Sequence, residues 1–324
     1  MLEDHRRATT QGDAVRIGMR ADSENSMGVI AEWSRAKRPN SRLFKRGWLV
    51  GLLFVLPALV PLAIFSVYPM FRAFSLSLSD WQLQGAPRFV GLANYTALVT
   101  DQQFLTCLVV TLKLAAGTAI PSCILALALA LLLDAGVRFT DWYQPLYFLP
   151  SVLPSVVTTI IWGILYQGKG VLNNAFGLSV GWLSDPAWAL PAIVLLLIWT
   201  NLGYFTIVLL AGIRDVPREY YEAARIDGAN YLALVRHITL PMIAPALLFV
   251  LVVAASGALT VFVQPYLLTQ GGPGDATRTL SQLIYDTAFS FINIGKASAM
   301  SFVLLVIALL VAFVQFRLSA VQEA

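Results

Sequence analysis

Residues 214–241, RDVPREYYEAARIDGANYLALVRHITLP, set Arg214, Asp215, Arg218, Glu219, Glu222, Arg225, Asp227, Arg236 and His237 between two long apolar runs. No other stretch in the last three quarters of the chain is so dense in charge. Charge kept between two apolar runs is charge presented to water, so the stretch reads as a docking surface. Its helix chemistry is explicit. Asp215 is placed to cap a helix, and Pro217 suits a first turn because it has no amide hydrogen to leave unpaired. The helix continues through Glu222-Ala223-Ala224. Gly228 stops it by adopting a left-handed conformation. Asn230 caps a second short helix, from Tyr231 to about His237, ahead of Leu240-Pro241. The product is a helix, a sharp turn and a helix. The plainer reading, a well-capped loop between two spans, fits this local chemistry equally well.

The flanking runs settle the class. The chain has 324 residues, 58% hydrophobic and only 12% charged, with mean hydropathy +0.72. Soluble domains carry about 25% charged residues, so the composition points to lipid. Six stretches are long enough to cross about 30 Å of hydrocarbon at 1.5 Å per residue. They run over residues 48–70, 104–133, 145–166, 188–211, 242–268 and 297–316. The first carries Pro57, Pro61 and Pro69, which membrane helices tolerate. Residues 1–42 read as a disordered cytoplasmic tail, although Met27, Ile30 and Trp33 have the spacing of a short interfacial helix.

Arg35, Lys37, Arg38, Arg42, Lys45 and Arg46 crowd the start of the first span. They fix the N-terminus inside by the positive-inside rule. With six spans both termini are cytoplasmic, and 214–241 faces the cytoplasm. The net charge of +4 reflects this orientation, and no basic patch interleaved with aromatics suggests nucleic acid. Cys107 and Cys123 lie sixteen residues apart in one apolar run. On one helix they stand roughly 24 Å apart, too far for a disulfide.

The residues then match a family. Glu222-Ala223-Ala224, Asp227-Gly228-Ala229, Ile238, Leu240-Pro241 and Pro245 resemble the EAA signature of ABC importer permease subunits. Small, acidic and glycine positions recur there at fixed offsets over more than twenty residues. Phe89-Val90-Gly91-Leu92, Asn94-Tyr95, Leu149-Pro150, Trp162, Gly170, Leu172-Asn173, Trp199 and Leu210-Ala211-Gly212 resemble the sugar-permease branch. So do Leu268-Thr269, Gly271-Gly272-Pro273, Thr277, Tyr285 and Gly295-Lys296-Ala297-Ser298-Ala299.

Residues 48–318 are covered by this resemblance, and the subgroup is similar to the first of two non-identical permeases in carbohydrate or glycerol-phosphate uptake. Leu232 and Val235 stand where the second coupling helix often has aromatics, and Val263 stands where an acidic residue often precedes the Gly-Gly-Pro turn. The first departure bears on loop packing, the second on the solute.

The resemblance implies an all-α membrane protein with a type I, MetI-like core. Its organisation would be a tail (1–42), a first span with an external segment (43–103), a permease core (104–318) with the coupling loop 214–241, and a short tail (319–324). Glu222, Ala223, Ala224, Asp227, Gly228 and Ala229 would couple the chain to a cytoplasmic ATPase dimer. A second permease would complete a heterodimer, and an extracytoplasmic binding protein would deliver the solute. The solute would be a carbohydrate, with glycerol phosphate or another small polar molecule as the alternative.

The chain has no G-x-x-x-x-G-K-[ST] phosphate loop. It is therefore read as no enzyme and as needing no cofactor, with ATP and Mg bound by the partner ATPase. His5 and His237 are the only histidines, so neither a metal cluster nor a Ser-His-Asp triad can be assembled. An ion-driven secondary transporter would favour internal repeats and paired intramembrane charges, and only Lys113 is of that kind. Lys113 is better read as reaching the outer interface from a span that starts after it. A membrane anchor without transport is the other rival. Trp199, Asn201, Tyr204, Gln264 and Tyr266 are the polar and aromatic groups in the spans that could meet sugar hydroxyls and ring faces. Each taken alone is more readily structural.

Overall fold

The computed structural model describes residues 41–136 and 140–320. The interfacial-helix reading, nearly all of the N-terminal tail and most of the C-terminal tail lie outside them. The chain divides into two compact units between Met70 and Phe71. In the first, α1 (Ser41–Leu62) passes through a π-helical turn (Ala63–Val67) into α2 (Tyr68–Ser77). Every residue from 51 to 70 is exposed on the chain. A helix apolar all round with no covered face is built for a lipid or protein environment.

The second unit opens with the rest of α2, from Phe71, and continues with a two-stranded antiparallel ladder, β1 (Ser79–Asp80) on β2 (Arg88–Phe89). Then follow α3 (Ala93–Thr100), α4 (Gln102–Asp134), α5 (Thr140–Val152), α6 (Ser155–Leu165), α7 (Val171–Phe176), α8 (Pro186–Arg214), α9 (Arg218–Ile226) and α10 (Tyr231–Leu234). A second π turn (Val235–Thr239) leads to α11 (Leu240–Met242), α12 (Ala244–Leu259), α13 (Val263–Leu268) and α14 (Leu280–Tyr285). A third π turn (Asp286–Ser290) precedes α15 (Ile294–Ala320).

Four helices are long and apolar enough to cross a membrane: Gly51–Ser77, Gln102–Asp134, Pro186–Arg214 and Ile294–Arg317. The other two expected spans are broken. Residues 145–165 form two helices meeting at 109°, and α10–α11 meets α12 at 70°. The first break falls at Leu153-Pro154, where the Pro ring cannot donate to the preceding turn and biases Leu153 away from helix. The expected run 242–268 is likewise interrupted over residues 260–262. Among the described residues the candidate crossings therefore number four, or up to six if each bent pair is one span.

α4 is the central pillar. Its small and apolar side chains enter three buried clusters. Ala126, Ala130 and Leu133 pack with Phe205, Leu209, Ile213 and Val250. Phe104 and Cys107 pack with Leu98, Leu259, Leu280 and Met300. Leu114 packs with Trp162, Ile193 and Leu196. Alanines let helix axes approach closely, which is how association gains energy where lipid is as apolar as the protein. Gly203 takes this furthest: a Cβ there would run into the Tyr147 carbonyl and Phe148 Cα, so α8 crosses α5 backbone to backbone.

Several residues of the family resemblance act as pins. Asn94 Nδ2 donates to the carbonyls of Ser77 (2.8 Å) and Ser79 (3.0 Å). Gly295 lies against the Ser79 carbonyl, where a side chain would not fit. Asn173 Nδ2 donates to Gly168 and Val180 carbonyls while its Oδ1 accepts from Trp182 Nε1 at 2.9 Å. Thr277 Oγ1 donates to the Gly272 carbonyl at 2.8 Å, holding the Gly-Gly-Pro loop. Asp101 caps α4 through the amides of Gln103 and Phe104 and pairs with Lys296 Nζ at 2.6 Å, tying α4 to α15. Burial pushes the Asp101 carboxyl up, but Lys296 and the two amides outweigh it and hold it below its ordinary value.

Candidate functional site

The charged stretch folds as a helix–turn–helix, with its first helix one register later than the sequence suggests. α9 starts at Arg218 with Pro217 as the capping residue, while Asp215 closes the preceding helix α8. Residue 217 has extended backbone (ψ 131°), so proline ends one helix and opens the next without lying inside either. The C-terminus is a full Schellman motif. The Ala229 amide donates to the Ala224 carbonyl (2.9 Å) and the Gly228 amide to Arg225 (3.1 Å), with Gly228 at φ +85°. Asn230 caps the second helix by accepting from the Ala233 amide at 2.9 Å. That helix does not stop near His237. It continues through the π turn to Met242, since the missing amide of Pro241 falls in a first turn.

No residue of α9 is buried. Its inward side is nevertheless committed: Tyr221 Oη meets Thr239 Oγ1 at 3.0 Å, and Tyr221 packs on the Ile213, Val216 and Ile243 cluster. Arg218, Tyr221, Glu222 and Arg225 share that side and line a recess of about 800 Å³. Tyr220 and Ala223 take the opposite side, and Ile226 projects from the edge one turn beyond Glu222. Ile226 is 87% exposed and Leu232 is 73% exposed. Thus Glu222 faces the recess, Ala223 and Asp227 are exposed, and Ala224 and Ala229 are half-buried. The exposed Ile226 and Leu232 are apolar groups that the EAA spacing does not single out.

A second feature lies among the spans. A cavity of about 460 Å³ is lined by α4, α5, α6, α8, α12 and α13. Asn201, Tyr204 and Gln264 line it. Trp199 does not; its ring stands edge-on to Trp162 at 5.5 Å and packs in the Leu196 cluster. Tyr266 does not either; it stacks on Phe262 at 4.9 Å and meets Tyr285 at 5.7 Å. The cavity also gathers hydroxyls that the sequence reading did not choose: Thr118, Ser151, Ser155, Thr158 and Thr200. Short Ser and Thr in helices usually return their proton to the preceding turn, so nothing in their spacing marks them.

Two polar groups at this cavity stand out. Thr118 is 2% exposed and its hydroxyl has no hydrogen-bond partner among the described residues. Gln264 is 9% exposed. Both breaks in the helices reach the cavity wall, at Leu153 and Ser155 and at Val261 and Gln264. Irregular backbone at membrane depth is tolerated where it borders a protein-enclosed space. Lys113 is exposed and lines neither feature. α4 has 33 residues, about 50 Å, whereas about 20 residues suffice for the hydrocarbon. Counting back from Asp134, Lys113 falls just beyond a 20-residue span. This agrees with an interfacial lysine.

Residues 122–321 match the family model described as the binding-protein-dependent transport system inner membrane component. A probable ABC transporter permease protein of Pyrococcus horikoshii is 38% identical over 268 residues, covering 80% of this chain and 92% of that protein. The sulfoquinovosyl glycerol transport system permease of Agrobacterium fabrum is 34% identical (85% and 92% covered). The lactose transport system permease of Rhizobium radiobacter is 32% identical (82% and 92% covered). Among solved structures, a chain of a bacterial ABC transporter involved in import of the acidic polysaccharide alginate superposes with a TM-score of 0.75 at 24% identity. It covers 86% of this chain and 97% of that one. That likeness shows the fold. The capped helix–turn–helix, the span pattern and these matches converge: the chain belongs to the binding-protein-dependent transport system inner membrane components, the permease subunits of ABC importers.

Proposed function

We propose that this chain forms one half of the translocation pathway for a carbohydrate-type solute and transmits ATPase closure to it. α8 is the observation that carries the reading. Through Thr200, Asn201 and Tyr204 it lines the polar cavity. It then runs unbroken to Arg214 and joins α9 through buried Val216. The thirteen helical steps from Asn201 to Arg214 make a rod of about 20 Å. A push on α9 therefore reaches the cavity wall through helix and packed side chains.

In this reading both bent helix pairs count as crossings, giving six, with both termini and α9 in the cytoplasm. A cytoplasmic ATPase dimer docks on α9, a second permease completes the pore, and an extracytoplasmic binding protein loads it. ATP and Mg belong to the ATPase, and this chain needs no cofactor. Glu222, Ala223, Ala224, Asp227, Gly228 and Ala229 form or shape the docking helix. Asn201, Tyr204 and Gln264 belong to the solute path, whereas Trp199 and Tyr266 support its wall. Support for a carbohydrate comes from the hydroxyl- and amide-lined cavity and from relatives named for glycoside and disaccharide transport.

The test is ATP-dependent accumulation of labelled sugars by proteoliposomes holding the complex that co-purifies with this chain, with the binding protein supplied. Accumulation that requires both ATP and binding protein is expected. Accumulation driven by an ion gradient without ATP would replace this reading with a secondary transporter.

A further inference from the structure

We infer that the cavity between α4, α6, α8 and α13 selects an uncharged, polyhydroxylated solute and disfavours phosphorylated, sulfonated or uronic sugars; this rests on the carbohydrate reading above. Among the described residues, no lysine, arginine, histidine, aspartate or glutamate lines it. An anion moved to membrane depth needs a cationic partner or a dense set of donors.

The polar groups here are neutral, and the protons of several are already engaged. Ser151, Thr158 and Thr200 donate their hydroxyl protons to the carbonyls of Phe148, Ser155 and Leu197 at 2.6, 2.9 and 3.0 Å. What they offer the cavity is lone pairs, which repel an acceptor-only anion. Asn201 Nδ2 is likewise drawn to the Leu197 carbonyl at 2.8 Å. Donors remain on Thr118, whose hydroxyl has no partner among the described residues, on Gln264, on the hydroxyls of Tyr204 and Ser155 and on the second amide hydrogen of Asn201, and all of them are neutral. The first-turn amides of α6 add a partial positive charge of about half a unit, with no cationic side chain among the described lining residues to complete it. Neutral donors mixed with acceptors match a group that both donates and accepts, which is the sugar hydroxyl.

The experiment uses the same proteoliposomes and a panel of probes in matched pairs: glucose with glucose 6-phosphate and glucuronate, and lactose with lactobionate. Accumulation restricted to neutral members is expected. Thr118→Val, which keeps the shape and removes the hydroxyl, should slow neutral uptake by at least about fivefold, the effect of leaving one buried partner unpaired. Thr118→Ser, which keeps the hydroxyl, should slow it far less, separating chemistry from misfolding. Gln264→Leu should behave as Thr118→Val does. Charged probes entering as fast as their neutral partners would overturn the selectivity while leaving the carbohydrate reading intact. Equal neutral uptake by Thr118→Val and wild type would overturn it as well. Entry of no sugar of either kind would remove the carbohydrate reading itself.

Discussion

Replacing Gly203 tests the packing that holds the cavity open. A Cβ at this position would overlap the Tyr147 carbonyl oxygen and lie 2.7 Å from Phe148 Cα, where ordinary contact begins at 3.4 Å. The obstacles are backbone atoms, so no rotamer change relieves them, and α8 must move from α5 by about 1 Å. Overpacking of this kind costs about 1–3 kcal/mol. Alanine also gains about 1 kcal/mol of helix propensity over glycine. The clash should win for Gly203→Ala by a small margin and for Gly203→Val by a clear one. The same displacement separates Thr200, Asn201 and Tyr204 from Phe148 and Ser151 across the cavity, so uptake should fall with stability.

Gly51→Ala is the control, because a Cβ there meets nothing within 4 Å. The assay is thermal unfolding of the detergent-purified complex, followed by sugar accumulation in proteoliposomes. A lower melting temperature for Gly203→Ala and an unchanged or higher one for Gly51→Ala is expected. Equal or higher melting temperatures for both would refute the close crossing.

Three further outcomes are expected. Gly228→Val forces a β-branched side chain to φ +85°. This should cost roughly 1–2 kcal/mol locally and lower ATP-driven uptake at unchanged membrane insertion, measured by uptake against expression level. Trp199→Ala removes the ring packed on Trp162 and should lower the melting temperature while leaving the apparent KM for solute unchanged; a raised KM at normal stability would put Trp199 in the path. Lys296→Met breaks the pair with Asp101. Because Asp101 titrates below its ordinary value, the pair stabilises above about pH 4 and is lost as pH falls further. Wild type should therefore exceed Lys296→Met in stability by up to about 1 kcal/mol at neutral pH, with the gap closing in acid.

The most legible part of the chain was the part governed by local backbone rules. Gly228 as a left-handed stop and Asn230 as a cap follow from side-chain chemistry within four residues, and both stand in the structure. Asp215 shows how such rules slip: its carboxylate could cap a helix, but Pro217 fixes the start at Arg218 and leaves Asp215 to the helix before. Span continuity was less legible. Composition sees apolar length across 145–166 and 242–268 but not where it breaks: Pro154 interrupts the first run, and residues 260–262, without a proline, interrupt the second.

The cavity lining was legible only in its large members. Asn201, Tyr204 and Gln264 attract attention as amides and phenols in apolar runs. Thr118 looks like an ordinary small residue of α4, and only its unpartnered burial beside a cavity distinguishes it. Trp199 and Tyr266 carried the same kind of signal as Tyr204, and they face other rings because aromatic packing on neighbouring helices claimed them.

The central claim is that the outward side of α9 is where ATP-driven force enters the chain. Ile226 probes it most directly, being 87% exposed and touching nothing that holds the fold. Affinity purification of this chain from native membranes, with ATPase activity measured on the eluate, should recover an ATP-hydrolysing subunit with the wild type. It should recover several-fold less with Ile226→Asp at equal yield and equal melting temperature of the permease. Equal ATPase recovery with Ile226→Asp, or none with the wild type, would contradict the account.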